Sequence, residues 1–530
     1  ILMAIKAERY YTKDEILEMY LNKAYFGRGA YGIEAASRTY FGISAEELSA
    51  AQSAMLAAVI KSPSTYAPHI DPEKNYSRQQ LVLKQMYLNG FLTKKEYDSA
   101  LTEQIILEEK TENYFYGYYT DYVLKTATEQ LGIPMSDLLS GGYRIYTALD
   151  QDLQKYVESL MENDDDFPEK AKDGLKPECA IVVENASDGL IAALVGGREH
   201  TARLGFSRAT DMRRQPGSAI KPILVFTPAL EYSGYSTTSF LFDQPMRFGE
   251  YAPRNAGRTF RGWLTLRDTV AYSVNIPTVA LFEEIGIERC IGYAQSVGIP
   301  FTEGDDHLSL CLGGFSEGVT PLELAGAYQP YANNGIYNAP SPIRMIYDSD
   351  GKSVYRSESP GCQVISSETA YLMSSMLSSV VEYGTAKELS IQNIPLSAKT
   401  GTTSYDDAEN NKDAWIVAYN PDYIICTWMG FDKTDSAHSL KKGETGGGFP
   451  AKITKRIFLE LYRTRVAPKF FRPKGVKRVY LDKTELYENF RTVAVPFSSD
   501  KTVTEYFSSE NVPQLYENDN ISKIYKFSNK

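Results

Sequence analysis

The chain has 530 residues, which is too long for one hydrophobic core and predicts two or more domains. Its 56 basic and 67 acidic residues give a formal charge of -11, which argues against a nucleic-acid partner. The four histidines and five cysteines are scattered, without a Cys-x-x-Cys pair, and this argues against a zinc site and a Ser-His-Asp triad. We interpret all five cysteines as buried thiols.

Residues 1–107 are predicted to form an all-α unit, because apolar residues recur there at helical spacing. The predicted helices are Ile1 to Tyr10, Lys13 to Asn22, Gly32 to Tyr40, Ala45 to Ile60, Ser77 to Asn89 and Lys94 to Ala100. No stretch reaches the roughly 18 apolar residues typical of a membrane span. Because the chain begins with Ile1, we expect its natural start, and any membrane anchor, to lie upstream.

Residues 108–172 are interpreted as a linker or interdomain region that contains one strand, Tyr143 to Thr147. A hairpin follows, with strands Cys179 to Val183 and Leu190 to Val195 around an Asp-Gly turn. Helical segments come next, and strands return at Ala414 to Tyr419 and Tyr423 to Gly430. Residues 173–462 are therefore predicted to form one α+β domain, whose two ends together build a central antiparallel sheet.

Residues 463–530 form a C-terminal extension that begins with a basic and aromatic run. This run fits an amphipathic segment that wraps around the preceding domain, or a patch that binds an anionic wall polymer or lipid. The last forty residues are polar, and we expect them to be partly disordered.

Three short strings indicate a site for acyl transfer within residues 173–462. In chain order they are Ser218-Ala219-Ile220-Lys221, Ser273-Val274-Asn275 and Lys399-Thr400-Gly401-Thr402. Ser-x-x-Lys also occurs at Ser439 and Ser498, but those copies lie in polar loops or in the tail. The first string instead follows a Pro-Gly turn and opens an apolar helix, the second lies in a helical stretch, and the third begins a predicted strand.

Ser218 is the predicted nucleophile and Lys221 its base, because side chains three positions apart on a helix share one face. A free lysine is almost fully protonated at neutral pH. We therefore expect burial, and the nearby ammonium of Lys399, to lower the pKa of Lys221.

The second and third strings are predicted to handle the leaving group and the substrate. The Ser273 hydroxyl can relay a proton to a leaving amine, and the Asn275 amide can hold a peptide bond. The string that begins at Lys399 is predicted to be an edge strand, where Gly401 leaves room for a substrate backbone. The N-H groups of Ser218 and Thr402 would form an oxyanion hole, and the hydroxyls of Thr402 and Thr400 would suit a terminal carboxylate.

These strings, with Arg214-Gln215-Pro216-Gly217, Leu312-Gly313-Gly314 and Asp413-Ala414-Trp415, resemble the transpeptidase domain of class A penicillin-binding proteins. The resemblance implies a penicillin-binding, β-lactamase-like fold. It also implies a serine enzyme that takes an acyl group from stem peptides ending in D-Ala-D-Ala and passes it to a neighbouring amine. β-Lactam antibiotics would acylate Ser218. No cofactor is implied for this activity.

Residues 13–22 and 28–42 resemble the last two motifs of family 51 peptidoglycan glycosyltransferases, which have a lysozyme-like helical fold and polymerise lipid II into glycan strands. The two essential glutamates of that family lie in earlier motifs, so we expect no polymerase activity from this chain, although the parent protein would have it. Glu15 and Glu18 are interpreted as structural or supportive motif residues, not as a replacement for the missing pair. In that family a divalent metal can assist an intact domain, but no ligands for it are evident in this sequence.

The sequence thus predicts an N-terminally truncated bifunctional peptidoglycan synthase at the outer face of the plasma membrane, attached through a missing N-terminal anchor. One rival reading keeps the fold but uses water as acceptor, as a D,D-carboxypeptidase or β-lactamase does. Another is a penicillin-binding sensor that is acylated without turning over.

Overall fold

A computed structural model describes residues 2–108, 114–357, 361–405 and 410–515. The chain divides into two compact units. The first comprises Ile1–Phe115, Ala127–Ile145 and Met345–Arg356, and the second comprises Tyr116–Thr126, Tyr146–Arg344 and Ser357–Lys530. None of the described helices is both long and apolar enough to cross a membrane.

The N-terminal part of the first unit is helical, as predicted. Its helices are α1 (Leu2–Tyr10), α2 (Lys13–Lys23), α3 (Ile33–Phe41), α4 (Ala50–Ile60), α5 (Pro63–Tyr66), α6 (Pro72–Leu88) and α7 (Lys94–Thr102). The single helix predicted from Ala45 to Ile60 is wrong. The backbone leaves the helical path before Ser49, because Ser49 and Gln52 form a reciprocal capping box that starts α4 afresh.

The core of this helical region is small and is built around Tyr40, which is fully buried. The Tyr40 hydroxyl donates to the carbonyl of Phe26 at 2.9 Å, and Leu56 and Val59 of α4 pack in the same cluster. This contact ties α3 to the loop between α2 and α3, which explains why a segment interrupted by glycines keeps a defined path.

The region predicted as a linker contains regular elements. They are α8 (Gly117–Leu131), α9 (Met135–Ser140), β1 (Arg144–Thr147) and α10 (Gln151–Ser159). Gln154 on α10 exchanges two hydrogen bonds with the backbone of Leu194, at 2.9 and 2.8 Å. The bounds of the two compact units fall within α8 and β1, and the domain boundaries drawn from the sequence remain a prediction.

The second unit is organised around a six-stranded antiparallel sheet, which confirms the predicted α+β class. Its main path runs β10-β11-β12-β2-β3, and β13 also pairs with β11. The strands are β2 (Glu178–Asn185), β3 (Ile191–Val195), β10 (Ser397–Ser404), β11 (Asn410–Tyr419), β12 (Tyr423–Gly430) and β13 (Leu440–Lys441). Because β12 pairs with β2, the two ends of the domain meet in one sheet. The third string lies on β10, at the edge of that path.

Helices and small sheets lie between the strands of the central sheet along the chain, and one helix follows the last of these strands. The helices are α11 (Thr227–Tyr232), α12 (Leu266–Ala271), α13 (Ile276–Ile285), α14 (Ile287–Ser296), α15 (Pro321–Ala327), α16 (Gln329–Ala332), α17 (Ser367–Glu382) and α18 (Phe449–Leu461). The short strands are β4 (Phe240–Asp243), β5 (Gly262–Thr265), β6 (Ile336–Tyr337), β7 (Ile343–Tyr347), β8 (Ser353–Arg356) and β9 (Cys362–Gln363). Four cysteines are buried free thiols, but Cys362 is exposed, so the prediction that all five are buried is wrong.

The C-terminal extension contains a three-stranded sheet that the sequence pattern does not predict. Its elements are β14 (Val476–Asp482), α19 (Lys483–Tyr487), β15 (Ala494–Val495) and β16 (Thr502–Ser508). Two of its strands, β15 and β16, lie within the last forty residues, whereas residues 516–530 lie outside the described part of the chain, so the expected partial disorder stays a prediction. Glu505 of β16 is buried against Arg267 of α12, with the Arg267 Nε atom 2.7 Å from the carboxylate.

Candidate active site

The fold brings the three strings together through two buried lysines. The Lys221 Nζ atom donates to the Ser273 carbonyl at 2.8 Å and to Asn275 Oδ1 at 2.6 Å. The Lys399 Nζ atom donates to Ser273 Oγ at 2.8 Å, and the Lys221 Nζ atom lies 3.4 Å from the same hydroxyl. Ser273 is therefore the meeting point of both amines.

The backbone of the first string is not an ordinary α-helix, because of Pro222. Residues Gly217–Ile220 form a 3₁₀ turn, and Pro222–Phe226 form a π-helical turn that runs into α11. Proline has no N-H to continue an α-helical ladder, and the Ser218 carbonyl accepts instead from the N-H of Lys221. In a 3₁₀ turn, side chains three positions apart eclipse each other, which keeps Ser218 and Lys221 on one side.

Ser218 is partly exposed at the start of this turn, whereas Lys221 is completely buried. Among the described residues, no hydrogen bond joins Ser218 Oγ to Lys221 or to Lys399. The reason is visible in the contacts of Lys221, whose amine is directed at acceptors of the second string. A direct contact between Ser218 and its base therefore remains a prediction for the reacting state.

The second string lies at the junction between α12 and α13, not inside a helix as its sequence context suggests. Ser273 adopts a φ of +57°, in the left-handed region, and Asn275 is the residue that precedes α13. A non-glycine residue in this region costs on the order of 1 kcal/mol and persists only where the surroundings fix it. Here the backbone turn directs the Ser273 carbonyl and hydroxyl toward the two lysines.

A bridge of buried polar side chains fixes this junction, and sequence reasoning missed it. Asn255 Oδ1 accepts from the backbone N-H groups of Asn275 and Ile276, both at 3.1 Å. Its amide donates to Asp243 Oδ1 at 2.7 Å, and Asp243 is 1% exposed. Asn275 itself donates from Nδ2 to the carbonyl of Arg254 at 2.7 Å. Asn255 is thus a positioning residue for the second string.

The third string lies on β10 with Gly401 opposite Trp415 of β11. A Cβ atom on Gly401 would lie 2.2 Å from the Pro216 carbonyl oxygen and 3.1 Å from Ala219 Cβ. The glycine is therefore required so that the edge strand can approach the turn that carries Ser218. The sequence-based prediction gives a different reason for this glycine, namely that it leaves room for the backbone of a substrate.

The threonines of the third string have partners within the protein. Thr400 Oγ1 lies 2.7 Å from Thr385 Oγ1, and Thr402 Oγ1 accepts from the N-H of Gly446 at 3.4 Å. The backbone of Thr402 lies beside the turn that holds the nucleophile, since a Cβ atom on Gly217 would be 3.0 Å from its nitrogen. The predicted pair of oxyanion-hole donors thus comes from adjacent backbone segments.

Burial lowers the pKa of both lysines. Desolvation lowers the pKa of Lys221 from 10.5 to about 7. Desolvation, followed by repulsion from Lys221, lowers the pKa of Lys399 well below its ordinary value. The direction agrees with the expectation for Lys221, but its main cause is burial. Repulsion contributes to the lowered pKa of Lys399, whose amine lies beside Ser273.

Glu15, in the first of the two motifs of the helical region, has a structural role. The Glu15 carboxylate accepts from the Thr12 N-H at 2.6 Å, and the Thr12 hydroxyl accepts from the Glu15 N-H at 3.2 Å, which forms the capping box of α2. Glu18 is exposed on the same helix, which buries no residue. Within the described ranges no group of three or more His, Cys, Asp and Glu side chains could hold a metal ion.

Family models match the two regions that the sequence sets apart. A model described as transglycosylase matches residues 1–87, and the penicillin binding protein transpeptidase domain matches residues 179–458, which is more than half of the chain. Penicillin-binding protein 1F of Bacillus subtilis (strain 168) is 38% identical over 482 residues, covering 90% of this chain and 66% of its own length. Penicillin-binding protein 1A/1B of the same organism is 31% identical over 538 residues, with 97% of this chain and 57% of its own length covered.

The crystal structure of penicillin-binding protein 1A from Haemophilus influenzae has the same fold. It superposes with a TM-score of 0.74 and 24% identity, covering 95% of this chain and 92% of that chain. The chain belongs to the class A penicillin-binding proteins, and the resemblance drawn from its motifs is confirmed. It spans 66% and 57% of the length of the two Bacillus subtilis relatives.

Proposed function

We propose that this chain is a serine D,D-transpeptidase of peptidoglycan synthesis that cross-links stem peptides ending in D-Ala-D-Ala. The observation that carries the proposal is the pair of buried lysines, each with a lowered pKa, that converge on Ser273 next to the turn that presents Ser218. Such a pair supplies a base that is neutral near physiological pH, which a serine nucleophile needs.

In the first half-reaction, Ser218 Oγ attacks the carbonyl of the penultimate D-alanine while its proton passes to the neutral Lys221 amine. The oxyanion is held by the N-H groups of Ser218 and Thr402, and one such donor is worth ~10²- to 10³-fold in rate. The C-N bond then breaks. The leaving D-alanine receives the proton from Lys221 through the Ser273 hydroxyl, which lies 3.4 Å from the Lys221 Nζ atom.

In the second half-reaction, the amine of a neighbouring stem attacks the ester carbonyl on Ser218. Its proton returns through the same lysine and hydroxyl pair, the C-O bond breaks, and the serine is restored. Asn275 holds the peptide backbone, and the hydroxyls of Thr400 and Thr402 receive the terminal carboxylate. A β-lactam enters the same site and acylates Ser218 as its ring C-N bond breaks. The released amine stays tethered to the acyl group and blocks the approach of an acceptor, so the ester persists.

Labelling with a fluorescent penicillin tests the nucleophile. We expect one covalent adduct in the wild-type chain and none in Ser218→Ala. Ser439→Ala is the matched control, because it removes a serine from a second Ser-x-x-Lys string, whose two middle residues form β13. Label that survives in Ser218→Ala, or disappears in Ser439→Ala, would show that the nucleophile is wrong.

The acceptor is tested with a D-Ala-D-Ala peptide and an added amine. A transpeptidase releases D-alanine and forms the cross-linked amide. Rapid hydrolysis without cross-linking would indicate a carboxypeptidase or β-lactamase, and acylation without D-alanine release would indicate a sensor. We expect the rate to be unchanged by EDTA, because every proposed step uses only side chains and backbone amides.

The site of action proposed for the protein is the outer face of the plasma membrane, where its stem-peptide substrates are carried on glycan strands. We further propose that a protein in which this transglycosylase region is complete polymerises those strands from lipid II. Fractionation of cells that produce the protein, with the penicillin label as readout, tests the location.

A further inference from the structure

A cavity of about 540 Å³ lies beside the second string and is not used by the proposed reaction. It is lined by three arginines, Arg247, Arg254 and Arg258, together with apolar side chains that include Phe260 and Ile276. Phe260 is 50% exposed, whereas Ile276 at the start of α13 is buried. The cavity therefore combines positive charge with apolar surface.

The wall of this cavity is part of the active-site framework. The carbonyl of Arg254 accepts from Asn275 Nδ2 at 2.7 Å, and the neighbouring Asn255 holds the backbone of Asn275 and Ile276. Asn275 therefore contacts both the Lys221 amine of the active site, at 2.6 Å, and the backbone of the cavity wall.

The charge around the cavity is unbalanced. The segment of residues 244–261 contains four arginines and one acidic residue, in a chain whose net charge is -11. Both Arg247 and Arg254 are exposed, and in the described part of the chain neither forms an ion pair with a carboxylate. Guanidinium groups that lack an internal partner are suited to a carboxylate of a ligand, which they can bind through two parallel hydrogen bonds.

We propose that this cavity is a subsite for an acidic residue of the donor peptide, upstream of the bond that Ser218 attacks. The carboxylate of that residue binds Arg247 and Arg254, and the apolar part of its neighbour packs against Phe260 and Ile276. This inference rests on the proposed transpeptidase function. It adds a preference for substrates that carry a negative charge next to an apolar group.

The test compares two synthetic peptides that end in D-Ala-D-Ala and differ only in one upstream residue, glutamate in one and glutamine in the other. D-Alanine release is measured for the wild type, for the double variant Arg247→Gln/Arg254→Gln, and for Arg463→Gln. The last variant is the matched control, because Arg463 is 71% exposed and does not line the cavity.

We expect the wild type to prefer the acidic peptide by about tenfold in kcat/KM, through a lower KM. The preference should shrink at high salt, because the charges are exposed. In the double variant the two peptides should react equally, whereas Arg463→Gln should keep the preference. Equal rates for both peptides in the wild type, or a preference that survives in the double variant, would overturn the inference.

Labelling with fluorescent penicillin separates this inference from the proposed function. The wild type and the control variant Arg463→Gln, which leaves the cavity and Ser218 untouched, should be labelled at the same rate. If the wild type fails to label at all, the proposed function is wrong. If it labels normally and shows no preference between the peptides, only the subsite is wrong.

Discussion

The protonation of Lys221 gives the sharpest prediction for this protein. The Lys221 side chain is completely buried, and this burial lowers the pKa of its amine from 10.5 to about 7. At pH 7 the neutral form of a free lysine is present about once in 3,000 molecules, whereas an amine with a pKa of about 7 is half neutral. Burial therefore increases the amount of base on the order of 10³-fold, equivalent to about 4 kcal/mol.

The rate of acylation by penicillin should follow the neutral fraction of Lys221. Below pH 7 we expect the second-order rate constant to rise tenfold per pH unit, and above about pH 7.5 we expect it to level off. The same shift makes the folded state more stable as the pH rises from about 7 to 10.5, because over that range the unfolded chain binds more protons at this lysine.

The assay is stopped-flow or gel-based labelling with fluorescent penicillin between pH 5.5 and 9. Lys221→Met should lower the rate by roughly 10²- to 10⁴-fold and remove the inflection, because the variant lacks a base. A wild-type rate that continues to rise toward pH 10, or that does not depend on pH, would refute the role of the buried lysine. An inflection that survives in Lys221→Met would assign it to another group.

Two further predictions concern residues that hold the site in place. Glu505→Gln should lower the free energy of unfolding of the second unit by about 3 to 5 kcal/mol, because it leaves the buried guanidinium of Arg267 without its charged partner. The double variant Arg267→Met/Glu505→Leu should recover most of that loss, and denaturant titration followed by tryptophan fluorescence measures both, since all three tryptophans lie in this unit. Asn255→Ala should slow acylation by roughly 10- to 100-fold, because it frees two backbone N-H groups next to the second string. An unchanged labelling rate in Asn255→Ala would show that the junction holds its conformation without the bridge.

Local patterns in the sequence are sufficient for the main elements. Alternating apolar residues and turn residues predict the hairpin of β2 and β3 and the pair β11 and β12, and the structure confirms both. The predicted edge position of the third string is also confirmed. These features are local, since they depend on neighbours within about ten residues, and a periodic pattern records them directly.

Sequence patterns fail where a structure depends on distant partners. They miss the sheet of the C-terminal extension because β14 alternates imperfectly and pairs with β16, which is about twenty residues further on. They miss Asn255 and Asp243 because a single buried amide or carboxylate has no periodic signature. A third cause of failure is seen around Ser49. The capping box of Ser49 starts a new helix there, although the neighbouring residues favour one continuous helix.

The order and identity of three short strings are by themselves enough to predict Ser218, Lys221, Ser273 and Lys399 as the reactive groups. Only the tertiary structure decides where the protons lie. It buries both lysines, directs them at Ser273, and places the edge strand against the serine turn. The physical reason is that a pKa depends on burial and on charges brought together from distant parts of the chain, and a residue's identity specifies neither.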